Sequence, residues 1–229
     1  MRGTLGLLLG FALMPVAFTV GAHAEGAAAP IHVATYVEVA AASPKNAIKL
    51  LKQYRDASRG ESGNTRTEIA QEIGRPNRFV VLEIWKDQAA LDAHGKSAGT
   101  TAFRDQFKAI ANAPYDERVH NAFNVGPNDA VGKRAIVVVS HVDVPPPKKD
   151  DVIAALNPLA DASRKGSGNA RFEVVQQTSR PNHFTVVEAW TDQKAYDAAR
   201  SNGAQREFRG KLGPMLGALY DERLYRPVD

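Results

Sequence analysis

The sequence contains no cysteine. That absence removes disulfide staples, zinc-thiolate sites, iron-sulfur clusters, c-type haem attachment, thiol nucleophiles and lipid anchoring through cysteine. Aromatic residues make up only 7% of the 229 positions, with two tryptophans. Charge of one sign is also scarce: 29 basic and 25 acidic residues leave a net +4, spread along the chain without a basic block, which argues against a nucleic-acid partner. No phosphate-cradling glycine loop, nucleophile elbow or metal-binding helix motif is present. What is there, 44% hydrophobic and 24% charged residues, fits a globular protein of one or two domains.

The chain opens Met1-Arg2-Gly3, runs apolar from Leu5 to Val20 and reaches Ala22-His23-Ala24. This pattern predicts a secretory signal peptide over residues 1–24. An uncleaved anchor fits less well, because Pro15 interrupts the short run and small residues follow it in place of charge. The expected mature chain carries 28 basic and 25 acidic residues, a net +3, and is periplasmic or secreted with no membrane association. No twin-arginine pair precedes the run, so export of an unfolded chain is expected, without a cofactor loaded in the cytoplasm.

The remainder is an internal duplication. Asp56-Ala57-Ser58-Arg59 recurs as Asp161-Ala162-Ser163-Arg164, Arg75-Pro76-Asn77 as Arg180-Pro181-Asn182, and Tyr115-Asp116-Glu117-Arg118 as Tyr220-Asp221-Glu222-Arg223, at one offset of 105 residues. From Ile31 to His120 roughly 35 of about 90 positions are identical without a gap. Two domains are therefore expected, 25–123 and 134–229, joined by a linker over 124–133 with Gly126-Pro127-Asn128-Asp129 and Gly132.

Each copy reads strand, helix, strand, strand, helix, strand. Ile31 to Val39 and Ala135 to Val144 are valine-rich strands, and Ile48, Leu51, Tyr54 and Ala57 have helical spacing within Asn46 to Arg59. Gly63 and Gly168 are placed where a helix ends in the left-handed region. Thr65 to Ile73 and Arg78 to Lys86 flank the turn Gly74-Arg75-Pro76-Asn77 as a hairpin. The order gives an α+β fold of two ferredoxin-like βαββαβ repeats.

Helices cover one face of such a sheet, and the third strand is apolar on both. The expectation is that Phe79, Val81, Glu83 and Trp85 face the second copy's Phe184, Val186, Glu188 and Trp190, giving a single-chain pseudodimeric α+β barrel. A cavity is expected near each end.

The string from Phe79-Val80-Val81-Leu82-Glu83-Ile84-Trp85 through Lys86-Asp87-Gln88 to His94 resembles the signature of the antibiotic biosynthesis monooxygenase family of dimeric α+β barrels. The string from Phe184 to Ala199 resembles it too, with Ala199 where the first copy has His94. The resemblance implies enzymes that oxidise phenolic or quinol substrates with molecular oxygen and no metal or flavin. It also implies relatives that degrade haem with a first-strand asparagine, a tryptophan and an iron-ligating histidine. Trp85 and His94 match the last two, but His32-Val33-Ala34-Thr35-Tyr36-Val37 holds no asparagine. Haem degradation is thereby disfavoured, while haem binding through His94 stays open.

His94 is the leading candidate, since a single working cavity needs its reactive group once and the fold would need it twice. Imidazole is also a natural acceptor for a phenolic proton near neutral pH. The competing reading is a solvated histidine at a helix end. Trp85 and Glu83 complete the expected catalytic set. Arg66, Tyr36, Trp190, Glu188 and Arg171 are the expected substrate-binding residues. A hairpin loop of Gly74 to Asn77 sets Arg66 opposite Trp85 and Glu68 opposite Glu83, with Arg171, Trp190, Glu173 and Glu188 repeating the pattern; the alternative is a polar network at the barrel seam. His32, His120, His141 and His183 show no metal-ligand spacing and read as strand or turn surface. The expectation is an exported monooxygenase without cofactor or metal, acting on a small aromatic molecule and oxygen. The alternative is a periplasmic binding protein for haem or a hydrophobic aromatic ligand, and a further homodimer is left open.

Overall fold

The computed structural model describes residues 29–127 and 130–229. The signal segment expected over 1–24, and Asn128 and Asp129 of the linker, lie outside the described residues. The first repeat comprises β1 (Ile31–Glu38), α1 (Pro44–Arg59), β2 (Asn64–Glu72), β3 (Arg78–Trp85), α2 (Gln88–Gly95), α3 (Ala98–Lys108) and β4 (Asp116–Asn124). The second comprises β5 (Ile136–Asp143), α4 (Lys149–Arg164), β6 (Asn169–Gln177), β7 (His183–Trp190), α5 (Gln193–Arg200), α6 (Gly203–Leu212) and β8 (Asp221–Pro227). Among the described residues no helix is long and apolar enough to cross a membrane.

Local chemistry explains the elements. Pro44 starts α1, where its missing N–H removes a donor that would have no intrahelical partner, and Ala47, Leu50, Leu51 and Tyr54 bury one face of the helix. Gly60 closes α1 in the right-handed region, φ −80°. The left-handed residue is Gly63, φ 90°, in the turn into β2 and three residues later than a helix cap. A Cβ there would come 2.7 Å from that of Ala90, so this turn packs on the first turn of α2 in a way only glycine allows. Gly168 does the same against Ala195.

All eight strands close into one antiparallel barrel in the order β1-β3-β2-β8-β5-β7-β6-β4. The two four-stranded sheets therefore join along their edges, β2 with β8 and β4 with β6, and closure leaves no strand edge unpaired around the ring. The pseudodimeric α+β barrel is the fold of this chain.

One feature of the register differs from expectation. The loop between β2 and β3 runs from Ile73 to Asn77, one residue longer than Gly74 to Asn77, so Gln71 pairs with Phe79, Glu68 with Leu82, Thr67 with Glu83 and Arg66 with Ile84, and a bulge between Arg66 and Asn64 then sets Asn64 opposite Trp85. The bulge recurs in β6, where Arg171 pairs with Ala189, Phe172 with Glu188 and Glu173 with Val187. Because side chains alternate, a one-residue slip exchanges faces. Arg66 is thus not opposite Trp85, nor Glu68 opposite Glu83, and the same holds for Arg171, Glu173, Trp190 and Glu188.

The barrel interior is built instead from Ala34, Val80, Leu82, Val137, Val139, Val187, Ala189 and Tyr225. Phe79 and Val81 face α1 and α3, and Trp85 packs with Ala90 and Leu91 of α2. The stripe assigned to the barrel from sequence lies beneath the helices, and the opposite row, Val80 and Leu82, faces the shared core.

Charges cross that core in pairs. Arg66 makes a bidentate bridge to Glu173 at 2.9 and 2.7 Å, and its counterpart Arg171 bridges Glu68, the counterpart of Glu173, at 2.6 and 3.0 Å. Arg66, Arg171 and Glu173 are buried. The Glu173 carboxyl is held below its ordinary range, its burial outweighed by the hydrogen bonds and charge of Arg66. Removing one member strands a buried charge, which costs about 3–5 kcal/mol, whereas replacing both with apolar groups of similar volume is often close to neutral. Urea unfolding should therefore show Arg66→Met losing about that much stability and Arg66→Met with Glu173→Leu regaining most of it.

Candidate active site

The site grows from five short segments under the helices of the first repeat. Tyr54 lies on the buried face of α1, and Glu61 follows in the turn before Gly63. Glu83 and Trp85 project from the end of β3 toward the helices. Asp87 caps α2 by accepting from the Ala90 amide at 2.7 Å, which fixes the helix that carries His94. Ser97 caps α3, accepting from the Thr100 amide at 3.1 Å.

These segments converge on the His94 imidazole, which is 3% exposed. Its Nδ1 lies 2.9 Å from Glu61 Oε2 and its Nε2 2.8 Å from the Tyr54 hydroxyl. Tyr54 is also 3.2 and 3.3 Å from the two Glu83 oxygens. The Trp85 ring stacks on the imidazole with centroids 4.4 Å apart and planes 29° from parallel. Ser97 donates to Glu61 at 3.1 Å, holding the carboxylate toward the ring. The pattern assigns the proton on Nδ1, donated to Glu61, and leaves Nε2 as acceptor from Tyr54.

Burial pushes the Glu83 carboxyl up to about 8, opposed by the Tyr54 and Thr67 hydrogen bonds and reinforced by Glu117 and Glu61. Burial, with Glu83 nearby, also holds the Tyr54 hydroxyl far above its ordinary range, so it stays neutral. Below pH 8, protonated Glu83 donates to Tyr54, which donates to His94. Above it, ionised Glu83 competes for the Tyr54 proton.

Of these groups, His94 is the one that reaches the wall of an open cleft of about 480 Å³ between α2, α3 and β4. Leu91 and Val119 supply apolar wall, Gln88 and Lys96 polar wall, and Arg104 pairs with Glu117 at 3.0 Å. Trp85 is fully buried behind His94 and does not line the cleft, so its contact is with the imidazole.

The second repeat keeps the frame and loses the relay. Leu159 replaces Tyr54, Gly166 replaces Glu61 and Ala199 replaces His94. Glu188, pushed up to about 7 by burial, accepts from Trp190 Nε1 at 2.9 Å. Arg200 stands where the first repeat has Gly95 and Tyr196 where it has Leu91. Both bond Glu222, Tyr196 at 3.0 Å, and Arg209 joins them at 2.6 Å, so side chains fill this position.

The structure thus brings His94, Trp85 and Glu83 together and places the other predicted residues elsewhere. Arg66 and Arg171 are in the barrel ion pairs, and Trp190 and Glu188 are under the helices of the second repeat. Tyr36 is inside the barrel between Arg118 and Arg223, 5.1 and 5.4 Å from its ring. His32, His120 and His141 are buried in the barrel and not on its surface; His183 is half-buried. Burial pushes His120 and His141 down to about 4, and His120 bonds Thr185 at 2.9 Å. Tyr54 and Glu61 were not singled out from the sequence, although the comparison of copies that exposed His94 against Ala199 exposes them against Leu159 and Gly166. Among the described residues no group of three His, Asp or Glu side chains is arranged to hold a metal ion.

Fold and site together define a tandem α+β barrel with one elaborated cleft and one filled counterpart. Residues 30–111 and 135–211 each match the antibiotic biosynthesis monooxygenase family, and the chain belongs to it. It is 39% identical over 59 residues to "Putative monooxygenase YcnE" of Bacillus subtilis (strain 168), a match covering 26% of this chain and 62% of that protein. A crystal structure of a "Putative monooxygenase" from Fusobacterium nucleatum superposes with a TM-score of 0.79 at 16% identity, covering 88% of this chain and 94% of the other. An "anthrone oxidase-like protein" superposes with a TM-score of 0.70 at 13% identity, covering 88% and 92%. At these identities the likeness is one of fold, and its extent shows both repeats matched within single chains.

Because the Glu83 carboxyl titrates higher folded than unfolded, its contribution to stability is full below about pH 4.5 and is lost as pH rises through about 8. Glu83→Gln should remove this dependence. Denaturation followed from about pH 4.5 to about 8 should show the parent losing stability steadily relative to the variant.

Proposed function

We propose that this chain is an exported, cofactor-independent monooxygenase that oxidises a small planar phenol or quinol in the first-repeat cleft. The observation carrying this reading is the Glu61–His94–Tyr54–Glu83 relay, present once per chain and meeting the cleft through His94. Family membership supports monooxygenase chemistry, and the run Leu5 to Val20 before Ala22-His23-Ala24 supports export.

In this reading Glu61 holds the Nδ1–H tautomer and Trp85 holds the ring plane, so Nε2 takes the substrate's hydroxyl proton once Tyr54 has turned to Glu83. Glu61 and Trp85 are positioning residues. Lys96 lies in the cleft wall where its charge can stabilise the resulting oxyanion. The anion passes one electron to oxygen, and the superoxide and substrate radical combine at a ring carbon. The resulting peroxide takes the proton back from His94, and water is lost with the hydrogen of that carbon, leaving one oxygen atom on carbon as a carbonyl and the other in water.

The haem-binding alternative relied on His94 as iron ligand. Iron ligation and proton transfer both need Nε2 released from Tyr54, so a haem titration followed by absorbance separates them: no Soret shift is expected, and one that His94→Ala abolishes would favour haem binding.

Oxygen uptake with a panel of quinols tests the reading. His94→Ala should lower kcat/KM about 10²–10⁴-fold. The parent should show a rising limb near pH 8 that Glu83→Gln abolishes while remaining active. Parental rates in His94→Ala, or an unchanged limb in Glu83→Gln, would remove the relay from the chemistry.

A further inference from the structure

The two seams that close the barrel are related by the duplication but are not alike. Along β4 and β6 the pairing runs to Asn124 opposite Val174. There Arg164 donates to Asn124 O at 2.7 Å and to Phe172 O at 2.9 and 3.1 Å, and Phe123 packs on Phe184 with ring centroids 5.5 Å apart. That seam is sealed. Along β2 and β8 the ladder is short, from Ala70 opposite Pro227 to Glu72 opposite Tyr225, followed by one bond from the Val228 amide to Ile69 O at 2.8 Å.

Beyond it a cavity of about 320 Å³ opens toward the barrel interior. Its inner wall is Ala70, Leu82 and Val137, with Val131 of the linker at its side and Arg55 and Arg59 of α1 lining it too. Arg59, the counterpart of Arg164, donates its Nε to Thr67 O at 2.9 Å and, among the described residues, uses neither terminal nitrogen in a hydrogen bond. Arg55 donates Nε to Asp56 and Nη1 to Val228 O, leaving Nη2. The acids lining the cavity are engaged, Glu68 by Arg171 at 2.6 and 3.0 Å and Asp229 by Lys133 at 2.8 Å. The unused polar capacity is therefore guanidinium N–H, and the rest of the wall is mainly apolar.

We infer that this cavity is a second ligand site, separate from the oxidation cleft, that takes a small apolar monocarboxylate. The carboxylate binds Arg55 and Arg59, whose planar N–H forks match its two oxygens, and the apolar body lies against Leu82 and Val137. Burial of that body from water supplies the driving force.

Calorimetric titration of the full chain with octanoate, octanol and octylamine tests the site. Octanoate should bind, with octanol and octylamine at least tenfold weaker. Arg59→Ala should weaken octanoate at least tenfold, and Val131→Trp, which fills the cavity from the linker at the edge of the core, should do the same. Both variants should keep the parental melting temperature without ligand and the parental rate of quinol oxidation, and His94→Ala should bind octanoate as the parent does. No octanoate binding at millimolar concentration, equal binding of octanol, or parental affinity in either folded variant would overturn the inference.

Discussion

Two guanidinium–carboxylate bridges, one buried and one half-buried, are exchanged reciprocally between the repeats and set how the halves of this barrel meet. Arg66 reaches Glu173 and Arg171 reaches Glu68, so each repeat gives a cation to the other and takes one from it. Buried charges need not add net stability, because desolvation cancels most of their attraction, but they penalise arrangements that leave one unpaired. A sliding of one repeat against the other would break both bridges together. The pairs act as a register lock for a core whose other side chains are mainly aliphatic.

The hairpin register that turns Arg66 and Arg171 inward leaves the chemistry to the opposite face of the sheet. Alternation along β3 puts Glu83 on the helix side with Phe79, Val81 and Trp85, so its carboxylate meets Tyr54 and His94 and not the shared interior. The barrel is thus scaffold, and the relay lies in the layer between sheet and helices. A buried carboxyl there is pushed toward neutrality by burial, which lets it exchange a proton with the tyrosine in front of it.

The fold was readable in the sequence because the duplication doubled every signal. Turn residues such as Arg75-Pro76-Asn77, strand alternation and helix spacing each appeared twice at one offset. The faces of β3 were not readable, since Phe79, Val80, Val81 and Leu82 are apolar on both sides and periodicity cannot choose between two buried faces. The bulge after Asn64 leaves no sequence mark beyond an ordinary threonine. His94 stands out through its missing counterpart, whereas Tyr54 reads as a helix-core residue and Glu61 enters no pattern. Their roles appear only when α1, β3 and α2 are packed together.

Duplication followed by divergence accounts for the asymmetry. The second repeat keeps Glu188 and Trp190 as frame, yet Arg200 and Tyr196 fill the position that the first repeat leaves open. The account therefore holds that one chain carries one working cleft. Methyl NMR during titration with a fluorinated phenol tests this most directly, because Val119 in the first cleft and Leu224 in the second are counterparts. The account predicts saturable shifts at Leu91 and Val119 at one ligand per chain, with Leu224 unmoved. Shifts at Leu224 with Leu91 and Val119 silent would contradict it.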